Sequence, residues 1–261
     1  MKKKLIAMLA TCALALSLTA CGGDDGKTFT VGFDAEFPPY GYMDDNGEYV
    51  GFDLDLAAEV CERNGWELVK RPINWGSKDM ELSSGSIDCI WNGFTMNGRE
   101  DEYTWSSPYV DNSQVFVVAA DAGISTPADL AGMAVGVQRD SSALAALNDE
   151  ESPENIALRD GFGSLTEYAD YNTAFMDLEA GALNAVAMDI GVANYQIESR
   201  GDGYVILDDY LATEQYGVGF LLGNEELRDT VEKTLVEMYE DGTFGKIAEE
   251  WGLSDYICFG K

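Results

Sequence analysis

Met80-Glu81-Leu82-Ser83-Ser84-Gly85-Ser86-Ile87-Asp88-Cys89-Ile90-Trp91-Asn92-Gly93-Phe94-Thr95 is the stretch that decides the fold. Met80 to Gly85 reads as a short helix closed by a glycine, and Ile87 to Trp91 as an apolar strand with polar residues just past its end. The same pattern returns far downstream. Ala174 to Ala180 ends at Gly181, Leu183 to Met188 is again apolar, and Asp189 follows. Two similar helix–glycine–strand units in one chain predict an α/β protein of two lobes. Ligands of open α/β sheets bind beyond the carboxyl ends of the strands, which is where Asn92, Gly93, Thr95 and Asp189 fall.

Upstream of that stretch, Thr28 to Phe33 has the pattern of a short strand ending at Asp34. Phe37-Pro38-Pro39-Tyr40 does not continue it, because two prolines remove ladder donors. Tyr40 to Met43 and Tyr49 to Phe52 flank Asp45-Asn46-Gly47, a hairpin signal. Asp53 to Arg63 reads as a helix with acids in its first turn and Leu54, Ala57, Ala58 and Cys61 along one stripe, stopped by Asn64-Gly65. Downstream, Val110 to Ser113 and Ala212 to Tyr216 are the expected crossings between lobes. A strand from Gln114 to Ala119 opens the unit between them. A strand from Gly217 to Leu222 and an amphipathic helix from Leu227 to Tyr239 follow. The predicted division is residues 28–112 with 214–261 for the first lobe and 113–213 for the second.

The N-terminus points to export. Lys2, Lys3 and Lys4 precede an apolar run from Leu5 to Leu18 that is short for a mature span, and Leu18-Thr19-Ala20 places small residues before Cys21. Residues 1–20 read as a signal peptide, and the layout resembles a bacterial lipobox in which Cys21 is lipidated. Residues 21–27, with Gly22-Gly23-Asp24-Asp25-Gly26, then form a flexible tether to the membrane on the extracytoplasmic face. The formal charge is −31, and −34 once the three signal lysines are removed, which disfavours nucleic acid and anionic lipid as partners. Cys61, Cys89 and Cys258 are an odd set without CxxC spacing, and the chain has no histidine. No metal or other cofactor is expected, and buried free thiols are.

A family resemblance joins these pieces. Gly51-Phe52-Asp53-Leu54-Asp55-Leu56, Gly85-Ser86-Ile87-Asp88, Thr95 to Arg99, Trp105-Ser106-Ser107-Pro108-Tyr109, Val135-Gly136-Val137-Gln138, Ala185 to Asp189 and Asp241-Gly242-Thr243 stand in the order of the family 3 extracellular solute-binding proteins. That resemblance implies a periplasmic-binding-protein-like (Venus flytrap) fold with two hinge crossings. It also implies a polar L-amino acid as ligand, an ABC permease as membrane partner, and action as a monomer.

A zwitterion held away from water needs a partner at each charged end. Arg99 offers a planar fork for the α-carboxylate, helped by the Thr95 hydroxyl, the backbone at Gly93, and Ser141-Ser142 at the start of a helix. Asp189, at a strand end, is the expected partner of the α-ammonium. The resemblance assigns Phe37 and Trp75 to the aromatic walls of the pocket and Asp34 to the ligand side chain. Asp140 departs from the family's usual glycine, and Met96-Asn97-Gly98-Arg99 is one residue shorter than the usual approach to the arginine. An enzyme of the cyclohexadienyl dehydratase type on the same fold is the alternative. Against it, the sequence has no nucleophile–base pair and no phosphate loop.

Overall fold

The structure is a computed structural model and describes residues 27–261. The signal segment, Cys21 and all but the last residue of the 21–27 tether lie outside them.

Thr28–Phe33 is the strand around which the first sheet forms. It pairs in parallel with Glu67–Pro72 on one side and with Cys89–Ile90 on the other. Gly219–Leu221 and Tyr103–Trp105 complete the sheet as antiparallel strands. Phe29, Val31 and Phe33 stand at alternate positions of this strand, on one face of the sheet, and are fully buried. The helix that covers it, Phe52–Asn64, is one residue longer at each end than its sequence pattern suggested. Asp53 and Asp55 lie in its first turn, and Gly65 ends it in a left-handed conformation with its N–H directed to Cys61 and Glu62 carbonyls. Leu54, Leu56 and Val60 are fully buried, each stabilising by about 1.5–3 kcal/mol. Cys61, Cys89 and Cys258 are free and buried.

The second sheet has the order Ser164–Tyr168, Ala134–Gln138, Ala185–Asp189, Val110–Ala119, Tyr204–Ile206. Val110–Ala119 is one uninterrupted strand where the sequence suggested a crossing followed by a strand. Ala212–Tyr216 runs antiparallel to its first half, with Tyr216 opposite Val110 and Ala212 opposite Gln114. The two crossings are therefore a single antiparallel ribbon, and residues 112–113 and 213–214 lie within it.

The fold is the expected two-lobe α/β arrangement. Its echo is visible in three dimensions: helix Lys78–Ser83 leads to strand Cys89–Ile90, and helix Tyr171–Glu179 leads to strand Ala185–Asp189.

Candidate ligand site

A small cavity lies where the ends of strands from both sheets meet. Phe37, Trp75, Asn92, Gly93, Thr95 and Arg99 line it from the first sheet's side, and Gln138, Ser141, Ser142 and Asp189 from the second's. Gly93 forms part of the floor with φ +55, and a Cβ there would stand 2.8 Å from the Phe37 ring and 3.0 Å from Tyr216. Its N–H donates to Asp53 Oδ2 at 2.6 Å, while Tyr109 donates its hydroxyl to Oδ1 at 2.9 Å. Burial pushes the Asp53 carboxyl up to about 7. Asp53 thus holds the floor from beneath.

Arg99 sits half-buried on the wall, its guanidinium 5.5 Å above the Phe94 ring. Nη1 donates to the Thr95 carbonyl at 3.1 Å and to Ser142 Oγ, across the cavity, at 3.3 Å. None of the ion pairs formed by the described residues includes it, although Glu100 and Asp101 follow it in sequence. Ser141 caps the helix Ser142–Leu147, accepting from Leu144 N–H at 3.2 Å, so its hydroxyl oxygen is engaged there.

Asp189 closes the opposite end. Its Oδ1 accepts from Asn112 Nδ2 at 2.9 Å, Gln114 Nε2 at 2.6 Å and the Tyr216 hydroxyl at 2.5 Å. Oδ2 has only the Tyr171 hydroxyl, at 3.3 Å. The same two amide nitrogens also reach Glu214 Oε1, each at 2.7 Å. Thr95 donates its hydroxyl to that Glu214 oxygen at 2.9 Å, so this donor is not free for a ligand. Burial raises both acids, Glu214 to about 7, and the nearby Asp189 charge raises Glu214 further. No lysine or arginine pairs with either acid among the described residues.

A cation without a carboxylate and a carboxylate without a cation, Arg99 and Asp189, therefore face one cavity. Sequence comparison fits that geometry. The model of the bacterial extracellular solute-binding proteins, family 3, matches residues 29–254. The chain belongs to this family. It is 28% identical to the L-cystine-binding protein TcyJ of Escherichia coli (strain K12), over 87% of this chain and 84% of that one. It is 27% identical to the arginine-binding extracellular protein ArtP of Bacillus subtilis (strain 168), over 96% of this chain and 98% of that one. Among solved structures, an ABC uptake transporter substrate-binding protein from Streptococcus pneumoniae with bound histidine superposes with a TM-score of 0.83. It is 33% identical, over 88% of this chain and 94% of that one.

Two departures from the family 3 sequence pattern now have structural readings. Asp140 adopts φ +54, the left-handed conformation that glycine takes readily, so an aspartate follows the same backbone path. Its carbonyl accepts from Trp75 Nε1 at 3.2 Å, a bond between the two sides of the cavity. The shortened approach to Arg99 is a tight turn, in which Arg99 N–H donates to the Met96 carbonyl at 2.9 Å. One assignment taken from family 3 finds a different partner. Asp34 does not line the cavity: its Oδ2 accepts from Gln138 Nε2 at 2.6 Å, again across the two sides, and burial lifts its carboxyl to about 6.

Sequence reasoning also misses residues in and around this cavity. Gln138 stands out only as part of a motif, and Asn112, Gln114, Glu214, Tyr171 and Tyr216 do not stand out at all. A signal exists for two of them. Asn112 and Gln114 alternate with the exposed Asp111 and half-buried Ser113, the period of a strand. In a run that is polar throughout, that period is invisible.

Proposed function

We propose that this protein is the extracytoplasmic binding component of an ABC importer, which captures a free L-amino acid and presents it to a permease. One observation carries the reading: Arg99 and Asp189, oppositely charged and each without an ion pair among the described residues, front the same small cavity. A zwitterion supplies both missing charges at once. Arg99, with the Ser142 hydroxyl, receives the α-carboxylate, because the Gly93 N–H expected to help is taken by Asp53. Asp189 Oδ2 receives the α-ammonium, and Phe37 and Trp75 flank the side chain. A binding role, without catalysis, follows from walls that offer counter-charges and hydrogen bonds to both ends of the ligand. Cys21 is the lipid attachment point, so the protein works tethered to the membrane as a monomer.

Residues 28–112 with 214–261 form one lobe and 113–213 the other, hinged at the ribbon. Asp34–Gln138, Trp75–Asp140 and Arg99–Ser142 then act as closure contacts. Thermal-shift measurements with the common L-amino acids test the reading. At least one, with L-arginine, L-histidine and L-cystine first, is expected to raise the melting temperature in proportion to RT ln(1 + [L]/Kd). No shift with any of them would refute it.

Closure has its own test at Gly191. A Cβ on this residue, in the first turn of helix Ile190–Arg200, would stand 2.4 Å from Tyr40 Oη and 3.1 Å from the Tyr40 ring. That ring is held by Tyr216, edge-on at 5.2 Å, and by Phe37 at 5.8 Å. Gly191→Ala is therefore expected to weaken ligand binding roughly 10- to 100-fold, the equivalent of about 1–3 kcal/mol of overpacking. The ligand-free melting temperature is expected to stay unchanged, because the clash arises only when the lobes meet. Calorimetry on the variant checks this, and unaltered affinity would remove Gly191 from the closure surface.

A further inference from the structure

Asp189 and Glu214 are brought together by strand register. Asp189 stands opposite Gln114 in one ladder, and Glu214 opposite Asn112 in the next, on the other side of the same strand. Each amide nitrogen therefore reaches both acids, and the carboxylate oxygens Oδ1 and Oε1 lie within the span of a single amide group. Asp189 and Glu214 are only 4% and 7% exposed. The other groups that face them are the hydroxyls of Thr95, Tyr171 and Tyr216 and the Tyr40 ring, and no cation is hydrogen-bonded or ion-paired to either among the described residues, although Arg99 lines the cavity with Asp189 and the groove with Glu214. Arg99 is engaged with Thr95 and Ser142. Two bare negative charges at this separation, shielded from water, strongly favour retaining a proton between them.

The two acids also face different spaces. Asp189 lines the ligand cavity and Glu214 does not. Glu214 lines an open groove on the outer side, with Asn97, Gly98, Asp149 and Glu151, and Asp189 is not part of its lining; Arg99 and Ser142 form the wall between groove and cavity and line both. One acid borders the ligand cavity while the other borders a groove open to solvent.

We propose that the Asp189–Glu214 pair exchanges a proton for the ligand. With the cavity free, the pair keeps one proton and carries one negative charge. When the ligand ammonium binds Asp189 Oδ2, that proton leaves through Glu214 to solvent, and the site with its bound ammonium again carries one negative charge. Glu214 is thus a positioning residue, holding the proton without touching the ligand. The inference rests on the amino-acid reading of the cavity. The upward displacement of both carboxyls agrees with it, Glu214 lying at about 7. The sign follows: acid pH keeps the proton in place, so affinity falls as pH drops, by up to about tenfold per pH unit below the upper pKa of the pair.

Calorimetric titration near pH 6 with L-arginine and L-glutamine, in two buffers of different ionisation enthalpy, counts the protons released. Close to one proton per ligand is expected for the parent protein. Glu214→Gln is expected to release almost none and to lose the pH dependence of Kd. Infrared difference spectra of the parent give a second readout that needs no variant: the protonated-carboxyl stretch should disappear on ligand binding. Binding with no proton release, or release that survives in E214Q, overturns the proposal and leaves the amino-acid reading standing. If no common amino acid gives heat or a thermal shift, the amino-acid reading fails and takes the proposal with it.

Discussion

Arg99→Ala is expected to abolish amino-acid binding while leaving the protein folded. In a closed cavity the α-carboxylate of a bound ligand loses its hydration and depends on the guanidinium for compensation. Removing one partner of such a buried pair costs roughly 3–5 kcal/mol, which weakens Kd by a few hundred- to a few thousand-fold. The fold should tolerate the change. Arg99 is half-buried, has no ion pair within the described residues, and makes its side-chain bonds to the Thr95 carbonyl and to Ser142 across the cavity. Its melting temperature without ligand should match that of the parent, and the ligand-induced shift should vanish. Near-normal calorimetric affinity in R99A would show that the carboxylate is held elsewhere.

Gly51→Ala is expected to produce the largest loss of stability. Gly51 precedes the helix Phe52–Asn64 with φ 144 and ψ 160, a region of backbone space open essentially to glycine alone. A Cβ there would lie 2.3 Å from the Tyr40 carbonyl oxygen and 2.8 Å from Gly41 Cα. These are backbone atoms with little freedom to move, since Asp53 N–H donates to that same carbonyl at 3.0 Å and Phe52 N–H to the Pro39 carbonyl at 2.9 Å. The strained backbone costs about 1–3 kcal/mol, and the clash adds about as much again. A total of about 3 kcal/mol or more lowers the melting temperature by roughly 6–12 °C in a chain of this size. The effect should also reach the site, because the helix start carries Asp53 and Asp53 holds the Gly93 N–H. A G51A melting temperature within about 2 °C of the parent would contradict the strain argument.

Asp189 is legible in the sequence because it follows an apolar strand, and strand ends converge on the crevice of an α/β sheet; Arg99 is legible through the family 3 resemblance of Thr95 to Arg99. Both line the cavity. Glu214 is not legible. It is one acid among 47 aspartates and glutamates, and 119 residues separate it from the Thr95 hydroxyl that binds it. Asp34 shows a subtler limit. Its position at a strand end follows from the pattern, but its partner, Gln138, is 104 residues away and belongs to the other sheet. The hinge reads as two separate segments, because a sequence pattern gives no sign that two polar stretches about a hundred residues apart will pair.

The sequence by itself determined the two-lobe α/β architecture, the helix and strand units that repeat, and the acid at the end of one strand. Those features depend on local apolar periodicity and on residues near one another in the chain. Only the tertiary structure decided which groups the acids meet: Glu214 beside Asp189, Gln138 on Asp34, Asp53 beneath Gly93. Burial and pairing register set those contacts. The electrostatics of a closed cavity depend on distance in space, which spacing along the chain does not encode.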